Sequence, residues 1–294
     1  MNIFRYLRPD RSVQLAVLTP KGEVYDLPQP DFQSLVREAR SLSVPPAQWI
    51  EDWLGSAQPR PLDRPFPDLT LSTPVDAEEV WAAGVTYEKS REARNYEATQ
   101  GKLDARTFYD KVYEAERPEI FLKSTRSRTV PPEGEMCLRS DSHWQIPEPE
   151  LGLVLMKDGA IAGYTVGNDL SCRDIEGENP LYLPQAKVWK RSCSIGPTIR
   201  LAETVADPYR LDIACRIYRG GRLAFEGEAQ TGQLKRRLNE LVAYLIRDNE
   251  TFEGMVLLTG TCIVPPNEFT LEDGDVVEIE ISGIGVLRNP MKQL

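Results

Sequence analysis

The chain reads as an α+β protein built on antiparallel or mixed sheet, and three observations lead there. Short strand-like runs are paired through glycine turns. Apolar faces at helical spacing occur early and late rather than throughout. Strands and helices do not alternate as a doubly wound parallel sheet requires.

The first 74 residues read as a small α/β module. Residues 2–7 and 12–19 look like strands, and the Lys21-Gly22 turn leads into a third apolar run, EVYDL. Residues 31–42 put Phe32, Leu35, Val36, Ala39 and Leu42 on one helical face, with Asp31 as N-cap. Residues 58–74 are proline-rich, which forbids regular helix or inner strand, so they read as a linker. A second module, 75–294, starts near Val75. Residues 86–98 and 104–116 carry helical spacing. Residues 151–156 and 161–167 form a hairpin through Lys157-Asp158-Gly159, and a second hairpin turns at Gly220-Gly221. Residues 233–247 place Leu234, Leu238, Leu241, Val242, Leu245 and Ile246 on one helical face, and the alternating run DVVEIEIS adds a late strand.

Composition removes several classes of function. With 294 residues, 41% hydrophobic and 27% charged, the chain can bury a full core without staples. It contains no apolar run near the ~20 residues of a membrane helix, and MNIFRYLRPDRS lacks the apolar centre of a secretion signal. A soluble cytoplasmic protein with no membrane partner is the expectation. A net charge of −10, without a basic cluster, disfavours nucleic acid. Five scattered cysteines with no C-x-x-C pair argue for buried apolar thiols rather than disulfides or a zinc ribbon. The single histidine, His143, excludes any two- or three-histidine metal site within one chain.

What remains is a carboxylate pattern. Glu148 and Glu150 flank Pro149, and in extended chain both side chains leave one face. Two adjacent like charges repel unless a cation separates them. The hairpin returns the chain to Asp169 beside this pair. Three carboxylates on converging strand ends suit a hard divalent cation such as Mg²⁺ or Mn²⁺. Two solvated acids at a sheet edge is the alternative. Residues 168–189 read as a long polar loop ending near Lys187, which beside a cation would have a lowered pKa suited to proton transfer. In Thr259-Gly260-Thr261 the glycine permits close approach of backbone to a ligand, or makes a plain tight turn.

In combination these residues resemble the fumarylacetoacetate hydrolase family: Glu148-Pro149-Glu150, then Asp169-Leu170-Ser171-Cys172-Arg173-Asp174, then Lys187, then Thr259-Gly260-Thr261. The match covers about residues 77–290. The resemblance implies a mixed β-roll, a Mg²⁺ site (Mn²⁺ as the alternative) at Glu148, Glu150 and Asp169, and 2-oxo acid substrates that chelate the metal. It further implies substrate contacts at Tyr87, Ser90, Arg173 and Thr261, and a homodimer or homotetramer. Hydrolytic members resemble one another in a helix with a water-activating His–Glu pair. Here Ser90 stands at the histidine position and Ala93 at the glutamate, which places hydrolysis in doubt.

Segments 117–124, 178–187 and 244–249 resemble a subgroup that dehydrates 2-keto-3-deoxy pentonates, 2-dehydro-3-deoxy-D-arabinonate among them, to 2,5-dioxopentanoate and water. The chemistry needs one group to take the C3 proton and one to protonate the departing C4 hydroxyl. Lys187 is expected as base or enolate-stabilising group, and Glu119, held by Pro118 beside an active-site strand, as its acid/base partner. Two rivals stand beside this reading. One is an acylpyruvate-type hydrolase in which His143 replaces the missing histidine, and the other a silent relative that binds metal and an oxo acid without turnover.

Overall fold

A computed structural model describes residues 1–99 and 108–294. The chain opens with an antiparallel meander of β1 (Asn2–Leu7), β2 (Val13–Leu18) and β3 (Val24–Asp26). Two helices follow, α1 (Phe32–Ser41) and α2 (Pro46–Ala57). Helix α1 lies where its spacing places it. Asp31 accepts the Ser34 N–H at 2.7 Å, and Phe32, Leu35, Val36 and Ala39 are buried. Helix α2 is not among the sequence expectations. Pro46 occupies its first turn, where a missing N–H costs no hydrogen bond, so the Pro45-Pro46 pair starts a helix.

The chain continues through β4 (Glu79–Gly84), α3 (Glu88–Thr99), α4 (Phe108–Glu114), β5 (Glu119–Thr125), β6 (Thr129–Val130), β7 (Met136–Leu138) and β8 (Gln145–Ile146). The hairpin β9 (Pro149–Leu155) and β10 (Ile161–Asp169) follows, then β11 (Ser171–Cys172), α5 (Arg173–Glu178) and α6 (Leu183–Lys187). The remainder is β12 (Cys193–Leu201), β13 (Asp212–Arg219), β14 (Arg222–Gln230), α7 (Leu238–Ile246), β15 (Met255–Thr261), β16 (Val276–Ile281) and β17 (Gly285–Gln293). Of the helix expected over 104–116, residues 100–107 lie outside the described residues and the rest contains α4.

Among the described residues, one mixed sheet runs β3-β2-β1-β12-β10-β9-β15-β4-β5, with β6 also on β12, and a second runs β14-β13-β16-β17-β7. Both expected hairpins form, with Gly159 at φ +82° and Gly220 and Gly221 at +55° and +75°. The sheets divide the apolar residues by parity. Leu151, Leu153 and Leu155 of β9 join Ile213, Ile279 and the α7 residues Leu238 and Leu241 in one cluster. Val154, with Val256 and Leu258 of β15, packs on the opposite face among Phe32, Leu35 and Ile50 of the N-terminal helices. The large sheet is therefore covered by the N-terminal helices on one side and by the smaller sheet with α7 on the other.

Strand β1 pairs with β12 (Ile3 opposite Ile199), so the N-terminal strands extend the same sheet. The proline-rich segment is tied along β1: the Leu7 N–H donates to the Thr70 carbonyl and the Ser72 N–H to the Arg5 carbonyl. Arg5, nearly fully buried, clasps Asp76 at 2.7 and 2.8 Å. The helix expected over 233–247 begins only at Leu238. The Lys235 N–H is used on the Thr86 carbonyl, and the Arg236 side chain reaches the Glu116 carbonyl and Glu240, which keeps residues 234–237 out of the helix. All five cysteines are buried and unpaired, matching their expectation as apolar thiols.

Candidate metal centre and active site

The hairpin brings the three acids together. Gly167 lies opposite Glu150 and Asn168 opposite Pro149, and the Asp169 N–H donates to the Glu148 carbonyl at 3.1 Å. One oxygen from each of Glu148, Glu150 and Asp169 lies within 4.8 Å of the others, and all three residues are buried. Burial opposes ionisation of Glu148 and, with repulsion from Asp169 and Glu176 added, outweighs the pull of Lys187, so its pKa is raised. Glu150 is raised further, by burial first and then by Asp169 and Glu148.

Strand β15 supplies the next component. Between Leu258 and Thr261 its register slips against β9, a β-bulge that leaves Gly260 at φ +95°. The bulge aims the Gly260 N–H at Glu150 Oε2, 2.6 Å away. A Cβ here would meet Thr86 Oγ1 at 2.0 Å and the Ala83 carbonyl at 2.9 Å, so the motif needs glycine for space as well as for φ. Thr261 closes the bulge with its hydroxyl on the Ile263 backbone. Tyr87 is almost fully buried, and burial, with Cys262 and Glu150 beside it, pushes its phenol well above the ordinary value.

Lys187 ends α6 with Nζ 2.6 Å from Glu148 Oε2 and 2.6 Å from Ser171 Oγ, and 3.5 Å from Asp169 Oδ2. Burial works against its charge, but Asp169, Glu148 and Glu176 outweigh that and raise its pKa. This is opposite to the lowered value expected beside a cation. The carboxylates alone favour the ammonium, and a cation among them would compete for the same oxygens. The expected loop over 168–189 is instead built of β11, the short helices α5 and α6 and a 3₁₀ turn at Pro180–Tyr182. Pro180 and Pro184 sit in first turns, where they do not break the helix.

Glu119 opens β5 with its carboxylate packed over Gly84. Its Oε2 is buried without a hydrogen-bond partner. Burial raises its pKa, opposed by Arg94 and aided by Glu176. Helix α3 turns an unusual face inward: Ser90, Arg94 and Glu97, at helical spacing, are all buried. Arg94 reaches Glu176 of α5 at 2.5 Å, while Glu97 pairs with Arg173, which also lies 3.5 Å from Glu148. His143 stands apart, exposed, with its backbone N–H on Asp174.

Sequence reasoning missed Arg94, Glu97, Glu176 and Lys123. Lys123 is fully buried, 2.6 Å from Asp169 Oδ1. The signal for Arg94 and Glu97 was their i+4 and i+7 spacing from Ser90. Among the described residues, six acids (Glu97, Glu119, Glu148, Glu150, Asp169, Glu176) face four bases (Arg94, Lys123, Arg173, Lys187) in this one buried or half-buried cluster. The imbalance is two negative charges, that of one divalent cation. Three converging oxygen donors with that excess fit Mg²⁺ or Mn²⁺.

This site and fold define a class, and the comparisons agree. The family model for the fumarylacetoacetate (FAA) hydrolase C-terminal region matches residues 90–292. The chain belongs to the fumarylacetoacetate hydrolase family. It is 40% identical to the 2-dehydro-3-deoxy-D-arabinonate dehydratase of Saccharolobus solfataricus, over all of this chain and 97% of that protein. It is 50% identical to a probable 2-keto-3-deoxyxylonate dehydratase of Haloferax volcanii, over 78% of this chain and 77% of that one. A solved 2-keto-3-deoxy-D-arabinonate dehydratase complexed with magnesium and 2,5-dioxopentanoate superposes with a TM-score of 0.84 at 36% identity, covering 100% of this chain and 99% of that one.

Proposed function

We propose that the protein is a divalent-metal-dependent hydro-lyase that converts a 2-keto-3-deoxy pentonate, 2-dehydro-3-deoxy-D-arabinonate, to 2,5-dioxopentanoate and water. The observation that carries this reading is the buried Glu148/Glu150/Asp169 triad with Lys187 at 2.6 Å from Glu148. Mg²⁺, or Mn²⁺, held by those three residues would supply Lewis-acid polarisation of the substrate's 1-carboxylate and 2-oxo oxygens.

The residues then divide the work. Glu119, a poorly solvated carboxylate with raised pKa, takes the C3 proton and returns it to the departing C4 hydroxyl. The Lys187 ammonium, kept charged by its acidic neighbours, stabilises negative charge developing on the C2 oxygen. Loss of water leaves a C3=C4 alkene. Transfer of a C5 proton to C3 then gives the C4=C5 enol, which ketonises to the aldehyde. Water leaves and no oxidant is needed. Tyr87, Ser90, Arg173 and Thr261 are read as the substrate-facing set, with Tyr87 and Ser90 presented near α3 and Arg173 oriented by Glu97.

No helix is long and apolar enough to cross a membrane among the described residues, and we place the enzyme in the cytoplasm as a homodimer or homotetramer. Acylpyruvate hydrolysis through His143 has less support, because that ring is exposed while Ser90 occupies the buried helix position. The test is incubation with 2-dehydro-3-deoxy-D-arabinonate and Mg²⁺, following aldehyde and pyruvate together. Aldehyde alone, lost with EDTA, is expected; pyruvate with glycolaldehyde would replace the dehydratase reading with C–C cleavage.

A further inference from the structure

Lys123 is the most deeply buried cation of the cluster and has no part in the mechanism above. It lies on β5 with no solvent exposure. Its ammonium pairs with one carboxylate and donates to two main-chain carbonyls. Nζ is 2.6 Å from Asp169 Oδ1, donates to the Leu170 carbonyl at 2.7 Å, and donates to the Lys187 carbonyl. The indole of Trp189 covers it, with the ring centroid 5.0 Å from Nζ. One ammonium therefore joins three things: a ligand carboxylate, the residue after it on the β10–β11 connection, and the residue that carries the Lys187 ammonium.

We infer that Lys123 is a positioning residue, holding Asp169 Oδ1 so that Oδ2 is left for the cation, and fixing the backbone of Lys187 to the same point. The inference rests on the metal-centre reading above. Two effects of opposite sign are in play. As a positive charge next to a ligand, Lys123 repels a cation, so its removal would tighten metal binding. As the holder of Asp169, its removal would weaken binding, as loss of outer-shell partners commonly does by about 10–100-fold. The contacts favour holding. Two of the three go to main-chain carbonyls, which a mere counter-charge does not require, and all three groups are buried; losing the donor removes a bond from the Leu170 carbonyl and leaves the Lys187 carbonyl to the Ser192 hydroxyl.

The discriminating pair is Lys123→Met, which keeps length and removes every donor, and Lys123→Gln, which removes the charge but keeps two N–H donors. Mg²⁺ affinity is measured by calorimetry, and Mn²⁺ affinity by electron paramagnetic resonance, on full-length protein whose folding is verified by its melting curve. The expected result is a Kd weakened about 10-fold or more in the methionine variant and substantially restored in the glutamine variant. At saturating metal, kcat of the methionine variant falls, because Lys187 has lost its tether. Tighter binding in both variants would mean the charge term wins and would overturn the inference. So would a wild-type Kd in a merely less stable methionine variant. If that variant does not fold, Lys123→Ala is read in the same way: weakened affinity supports holding, and wild-type or tightened affinity overturns it. Failure of the wild-type protein itself to bind either ion would instead overturn the metal-centre reading, so the two failures are separable.

Discussion

Replacing Gly260 with alanine probes the link between the β15 bulge and the proposed metal ligand Glu150. At φ +95° an alanine is strained by ~1–3 kcal/mol. Its Cβ would also sit 2.0 Å from Thr86 Oγ1, which is anchored by a 2.7 Å bond to the Thr259 carbonyl and cannot simply swing away. The bulge must shift, and with it the Gly260 N–H that holds Glu150 Oε2 at 2.6 Å, a charge-assisted bond worth ~1.5–3 kcal/mol. Taking the low end of each, because the backbone relaxes, gives a loss of about 2.5 kcal/mol, or ~5 °C in Tm at about 2 °C per kcal/mol for a chain of this size. Gly274 is the control. It too has positive φ, +84°, but no atom lies within 4 Å of its would-be Cβ, so Gly274→Ala registers φ strain alone. Both variants are read by thermal melting and Mg²⁺ calorimetry. Gly260→Ala is expected to be the less stable of the two and to bind Mg²⁺ about 10-fold or more weakly. Equal melting temperatures with unchanged metal affinity would refute the coupling of bulge to ligand.

Three further outcomes follow from the same geometry. Glu148→Gln should lose most Mg²⁺ binding in calorimetry while keeping its fold by circular dichroism; full activity would remove Glu148 from the ligand set. Lys187→Met should lower kcat by about 10²–10⁴ at saturating Mg²⁺, and steady-state kinetics within a few-fold of wild type would reassign its role. Glu119→Gln should be inactive yet more stable as pH rises. The folded-state pKa of Glu119 is raised by burial, so the wild type is unpenalised below the ordinary carboxyl value of 4.5 and loses stability as pH climbs through the raised value, which the amide does not. Urea melts at pH 4 and pH 8 measure this; a stability gap that does not widen with pH would contradict the buried-carboxylate account.

The convergence of the three carboxylates was legible because strand periodicity and a hairpin turn are local rules. Two residues apart means one face, so Glu148 and Glu150 converge. Lys157-Asp158-Gly159 closes the hairpin, so Asp169 returns beside them. The surrounding charges were not legible in the same way. Arg94, Glu97, Glu176 and Lys123 belong to types that are nearly always exposed, and only the fold reveals that each is buried against a partner. The stretch from Ser171 to Lys187 hid its helices for a different reason. Helices of five and six residues are too short to display a period, and prolines in the first turns of α6 and of the 3₁₀ turn before it look like breakers. At residues 234–237 the helical pattern continued past the point where Thr86 and Glu116 claim the chain's hydrogen bonds, a tertiary competition that no local pattern encodes.

The most direct test of the central claim is to follow 2-dehydro-3-deoxy-D-arabinonate in D₂O with Mg²⁺ by NMR, using wild-type protein and Asp169→Asn side by side. Removal of the C3 proton, loss of the C4 hydroxyl and ketonisation of the C4=C5 enol predict 2,5-dioxopentanoate carrying solvent deuterium at C4, with no pyruvate, and no product from the variant. Unimpaired turnover by Asp169→Asn, or pyruvate and glycolaldehyde from the wild type, would contradict the account.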